Sequence, residues 1–126
     1  MCAVPDLDSD DYKKGEILAL EFSKKTGIPF YPLIRKIRET KKQHNLKLIN
    51  EKYENVRGAF GINSQLLEHF KNKKAILVDD ITTTLATTNE CSKLLTMNGI
   101  ETIYIFSVGR RIFSEEENLE KENANT

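Results

Sequence analysis

Ala75-Ile76-Leu77-Val78-Asp79-Asp80-Ile81-Thr82-Thr83-Thr84-Leu85-Ala86-Thr87-Thr88 is the stretch on which the fold turns. Its first four residues are an unbroken apolar run with branched side chains, the pattern of a strand buried on both faces within a parallel sheet. Two carboxylates end the run. A threonine-rich turn then leads into residues 87–98, where Cys91, Leu94 and Leu95 share one helical side and Asn98-Gly99 signals the end. Ile103-Tyr104-Ile105-Phe106-Ser107-Val108 reads as the next strand. Strand, helix and strand in that order require a parallel, right-handed crossover, and hence an α/β fold.

Working upstream, Ser64 is placed to cap a short helix whose Leu66, Leu67 and Phe70 share a face and which Asn72 ends. Residues 56–62 return the chain to structure. Residues 35–55 carry Arg35, Lys36, Arg38, Lys41, Lys42, Lys47 and Lys52 against few acids, with little apolar content before Leu46, and read as a basic mobile loop. The piece 28–33 contains Pro29 and Pro32, so it can be only a short or edge-like strand. Before it lies a helix with Ser9, Asp10 or Asp11 as cap, Leu18 and Phe22 at i, i+4, and Gly27 as its stop. Cys2-Ala3-Val4-Pro5 looks like the end of a buried strand, one so short that further chain ahead of Met1 is an open question. Downstream of the last strand, residues 113–126 hold Glu115, Glu116, Glu117, Glu120 and Glu122 with too few apolar residues to pack, the composition of a disordered tail.

The 126 residues suit one domain, expected over 1–112, and are too few for two. Nineteen basic residues balance nineteen acidic ones, so no net field draws the whole molecule to nucleic acid or an anionic membrane. No apolar stretch is long enough to span a bilayer, and the first residues lack the basic start and apolar run of a signal peptide, so a cytoplasmic protein is expected. Cys2 and Cys91 lack CxxC spacing and are expected to be free thiols, with Cys91 in the core. His44 and His69 have no Cys or acidic neighbours at ligand spacing. The sequence contains neither GxxxxGK[ST] nor GxSxG, which speaks against ordinary nucleotide hydrolases and serine hydrolases.

The chemistry lies in the opening stretch. In open parallel sheets ligands collect beyond the carboxyl ends of strands, where Asp79 and Asp80 emerge. Ionised carboxylates are acceptors only, suited to vicinal hydroxyls and repelled by phosphate unless cations intervene. The turn complements them: backbone N–H groups at a helix start, with the helix dipole and threonine hydroxyls, suit a dianionic phosphate. A sugar phosphate fits both halves.

Residues 78–87 closely resemble the phosphoribosyl-diphosphate (PRPP) motif of type I phosphoribosyltransferases: apolar residues, two acids, two further residues, then Thr-Thr-Gly-Ala-Thr or a near variant. Gln43, Leu46, Asn55 and Val56-Arg57-Gly58-Ala59-Phe60 look like the upstream pattern of the competence protein F (ComF) branch, with Lys52 where arginine is usual. Asn89-Glu90-Cys91, Leu94-Leu95, Asn98-Gly99 and Arg110 resemble its downstream pattern, so the likeness runs from about Val4 to Arg110. The resemblance implies a three-layer core with a mainly parallel sheet flanked by helices. It also implies ribose binding by Asp79 and Asp80, and phosphate binding by Thr82, Thr83, Thr84, Leu85, Ala86, Thr87 and Thr88, with Thr84 and Thr87 as the foremost side-chain donors. Lys41, Lys42, Lys47 and Lys52 would form a lid over the diphosphate, and Mg²⁺ would enter on PRPP rather than through direct protein ligands.

Three departures bear on activity. Leu85 stands in place of the motif's glycine, and if that position needs φ > 0 a leucine there costs roughly 1–2 kcal/mol. The family's first diphosphate loop is replaced by the acidic residues 6–11, with Lys13 and Lys14 as the basic compensation. The cysteine-rich module usual ahead of this core is absent from the sequence. Thr83, where members acting on 6-oxopurines usually carry an acid, argues against that substrate class. Three readings follow: an enzyme transferring phosphoribose to an acceptor, a non-catalytic module that binds PRPP or a protein partner in DNA uptake, and a truncated relic. A nucleic-acid contact by the basic segment has little support, since only Tyr53 interleaves with its charges.

Overall fold

The computed structural model describes residues 1–5, 14–41, 46–70, 73–82 and 85–110. Strands β1 (Cys2–Ala3), β4 (Lys74–Thr82) and β5 (Thr102–Arg110) form a parallel three-stranded sheet in the order β1-β4-β5. Helix α1 (Lys14–Thr26) follows β1 and helix α3 (Ala86–Met97) links β4 to β5. Between them, β2 (Ile34–Lys36) and β3 (Phe60–Ile62) make an antiparallel pair that brackets helix α2 (Ile49–Val56), followed by a 3₁₀ helix at Ser64–His69.

The apolar run in β4 is continuous because both faces of the sheet are covered. Successive strand side chains point to opposite faces. Val78, with half-buried Ile76, joins Met1, Ala3, Ala19 and Phe22 on the α1 face. Ala75 and Leu77 pack on the other side with Cys91 and Leu95 of α3, with Leu33 just ahead of β2 and with Phe60 of β3. Two clusters on two faces give a mixed α/β protein whose mainly parallel sheet is flanked by helices. Among the described residues, no helix is long and apolar enough to cross a membrane.

Several expectations shift in detail. β4 does not stop at the acids: it stays paired with β5 through Thr82↔Arg110, so Asp79 and Asp80 lie inside the strand. The piece 28–33 forms no strand; β2 starts at Ile34, beyond both prolines. Tyr31 instead donates its N–H to Met1 O, and the Met1 amine donates to Pro29 O. The segment read as a basic mobile loop, 35–55, contains two residues of β2 and most of α2. Both cysteines are buried free thiols, and burial pushes the Cys2 thiol up to about 12. The expected caps Ser9, Asp10 and Asp11, together with His44, Asn72 and the tail 113–126, lie outside the described residues.

Gly15, in the first turn of α1, fixes how closely that helix meets the sheet. A Cβ built there would stand 2.8 Å from the Val4 carbonyl oxygen and 3.7 Å from that of Val78. Alanine ordinarily stabilises a helix relative to glycine by about 1 kcal/mol, but here the obstacle is backbone and cannot swing aside. Gly15→Ala is therefore expected to lower stability by about 1–3 kcal/mol in chemical denaturation; a variant as stable as the parent would refute this close approach.

Candidate functional site

The site forms where β4 ends and α3 begins. Asp79 is half-buried, and its carboxylate accepts two bonds: from the Asp80 N–H to Oδ1 at 2.9 Å and from the Thr88 hydroxyl to Oδ2 at 3.2 Å. Thr88 is fully buried, the only buried polar residue among those described. A buried hydroxyl requires a partner, and this one is given to Asp79, nine residues back along the chain. Thr88 thus faces into the fold and acts as a positioning residue for the acid.

Burial pushes the Asp79 carboxyl up to about 6, and the charge of Asp80 adds to the rise, opposed by the bonds from the Asp80 N–H and Thr88. Strand alternation alone would send the two carboxylates to opposite faces; here they remain close enough for the Asp80 side chain to hydrogen-bond with Asp79. The same burial, reinforced by nearby carboxylates including Asp79, keeps the Cys91 thiol protonated.

Leu85 has φ 67° and ψ 1°, left-handed backbone immediately before α3. The condition attached to the glycine position is therefore met: this turn needs φ > 0, and leucine supplies it at a strain of about 1–2 kcal/mol. Its carbonyl accepts the Asn89 N–H at 2.8 Å and starts the helical ladder. Ala86 is buried, and Thr87 half-buried. Thr82 closes β4; Thr83 and Thr84 lie outside the described residues.

The basic segment is fastened beside this helix. Tyr53 of α2 accepts a bond from Asn89 Nδ2 at 3.0 Å, and Glu90 Oε1 accepts the Gly58 N–H at 3.0 Å. Asn55 clasps the Lys41 backbone from both sides, at 2.8 and 2.7 Å. Arg38 donates to the carbonyls of Glu39, Asn55 and Arg57, holding the end of α2. Of the lysines read as a lid, Lys41 and Lys47 are exposed, Lys52 is half-buried on α2, and Lys42 lies outside the described residues. Among the described residues, no three His, Cys, Asp or Glu side chains gather as metal ligands.

Sequence reasoning missed α2 and its link to α3. Ile49, Tyr53 and Val56 recur at helical spacing and could have been read as an amphipathic face. The inward direction of Thr88 carried no such signal, because only the packing of α3 on the sheet decides it.

Fold and site together define an α/β protein whose paired acids meet a helix start at the carboxyl edge of a parallel sheet. Over 100 residues, 79% of this chain, the sequence is 30% identical to competence protein F of Haemophilus influenzae. The chain spans 43% of that relative's length, and the similarity supports a ComF-like relationship for the aligned part. No family model matches the sequence, and no solved structure matches the chain.

The raised Asp79 gives a signed pH dependence. Its folded pKa of about 6 lies above the ordinary 3.8, so its contribution to stability is full below about pH 4 and is lost as pH rises through 6. Asp79→Asn removes that penalty. The variant is expected to be more stable by about 1–3 kcal/mol at pH 8 and to show a flatter stability profile between pH 4 and 6 in thermal melts. A loss of stability at pH 8 would mean that the ionised carboxylate is favoured where it sits.

Proposed function

We propose that this chain carries the PRPP-binding core of a type I phosphoribosyltransferase-like protein, with Asp79 and Asp80 receiving the ribose hydroxyls and the turn into α3 receiving the 5-phosphate. The observation that carries this reading is the buried Asp79 carboxylate, fixed by Thr88 and destabilising where it lies, beside a left-handed turn at a helix start. Proteins retain strongly perturbed carboxylates chiefly where ligands or chemistry use them. The donor set fits the ligand: two adjacent acids for two vicinal hydroxyls, and a helix start for a dianion. The similarity to competence protein F supports the ComF-like relationship on which this reading draws.

In the transfer, the bond from the anomeric carbon to diphosphate breaks, and diphosphate leaves with the electron pair. A nucleophilic atom of the acceptor forms the new bond to that carbon and gives up its proton. Mg²⁺ bound with PRPP would supply charge neutralisation at the diphosphate. The acids would hold the ribose at the carboxyl edge of the sheet, and Lys41, Lys47 and Lys52 of the basic segment are the candidate cations for the leaving group; Lys42 lies outside the described residues. We place this activity in the cytoplasm.

One observation favours a second reading. Leu85 supplies the backbone conformation of a glycine but adds a side chain at the phosphate turn, which suits a module that binds the ligand without turning it over, in a role connected with competence. Calorimetric titration of PRPP with Mg²⁺ tests both readings. Saturable heat is expected, weakened at least tenfold by Asp79→Ala with Asp80→Ala and strengthened by Leu85→Gly; turnover over a panel of acceptors separates enzyme from sensor. No saturable heat from either the parent chain or Leu85→Gly would refute PRPP binding.

A further inference from the structure

β5 is an edge strand: among the described residues its only sheet neighbour is β4. Edge strands of stable monomers are usually short, or guarded by lysine, proline or a bulge, because their free N–H and C=O groups pair with any strand that arrives. β5 runs nine residues, and between Glu101 and Arg110 it carries neither a charged residue nor a proline. Its middle is apolar and open to solvent on both faces: Tyr104 is 58% exposed, Ile105 51% and Phe106 38%. Tyr104 and Phe106 register with Ile76 and Val78 on the α1 face, where the Phe106 ring meets the Phe22 ring, 4.5 Å between centroids. Ile105 registers with Leu77 on the opposite face.

We propose that β5 pairs antiparallel with β5 of a second copy of this chain, about a two-fold axis through Ile105, joining two three-stranded sheets into one of six. A two-fold axis normal to the sheet keeps each face on its own side, so facing residues must share a face. Centred on Ile105, the pairing sets Tyr104 of each copy opposite the other copy's Phe106 and Ile105 opposite Ile105. Every exposed apolar residue at the centre of the edge then meets an apolar partner, with two aromatic pairs of the kind that stabilise adjacent strands.

Charge does not oppose this arrangement: Glu101, ahead of the strand, is paired with Lys73 at 3.3 Å, and no charged residue lies between Glu101 and Arg110 in the sequence. The formal net charge of zero leaves no long-range repulsion between copies. The interface uses one self-complementary patch and closes as a dimer.

Sedimentation equilibrium on the full chain tests this, with Ile105→Lys as the breaking variant and cysteine substitutions as the register test. The mass is expected to approach twice 14.5 kDa at concentrations on the order of 100 µM, and Ile105→Lys, at an exposed position, is expected to give the single-chain mass while keeping the parent's circular dichroism. Directly opposed residues lie about 4.5–5.5 Å apart between Cα atoms, within disulfide reach. Ile105→Cys should therefore oxidise to a covalent dimer at least tenfold faster than Tyr104→Cys or Ser107→Cys; Cys2 and Cys91 are buried and add no background. A single-chain mass for the parent, an Ile105→Lys dimer, open-ended assembly, or faster cross-linking at Tyr104 or Ser107 would each overturn the proposal.

Discussion

The Asp79 carboxylate, buried between β4 and α3 and held there by Thr88, is the constraint around which the rest of the structure is arranged. Burying an acid is unfavourable, and the surrounding fold must offset it. It does so through a strand buried on both faces and a helix whose inner side, Ala86, Cys91 and Leu95, is fully enclosed. Strain in the same turn adds to the load, because Leu85 holds a left-handed conformation. Two unfavourable features therefore meet at one strand-to-helix junction, as the proposed ligand site would require.

Supporting elements converge on this junction from both sides. α1 comes close to Val4, just past β1, and to Val78 within β4 because Gly15 has no side chain. On the opposite face, α2 is tied to the first turns of α3 through Tyr53 with Asn89 and through the Gly58 turn with Glu90. The basic segment is therefore anchored beside the start of α3. Arg38 and Asn55, which sequence alone placed among solvated loop residues, do this anchoring with backbone contacts.

Much of this was legible in the residues. The apolar run, the two acids and the helix with Cys91 and Leu95 on one side carry periodicities that survive into the fold, because each is imposed by burial. Leu85 was recognisable as a residue in a glycine's place, and the structure shows that place to be left-handed. α2 was obscured because charge dominated the composition of 35–55, while its apolar face, Ile49, Tyr53 and Val56, is narrow and only Val56 is fully buried. The inward turn of Thr88 and the approach of the two carboxylates depend on how α3 packs against the end of β4, which no local pattern records. β4 also outran its expected end, since pairing with β5 stabilises polar residues that strand propensity alone would exclude.

A pH titration of the Asp79 side-chain carboxyl carbon, followed by NMR, tests the central claim most directly. A midpoint near 6, moving higher when Thr88→Val removes a hydrogen bond that favours the ionised carboxylate, is the predicted result. A midpoint at or below 4 in the parent protein would contradict it, for the carboxylate would then be an ordinary surface acid and the junction would lose its reason to be strained.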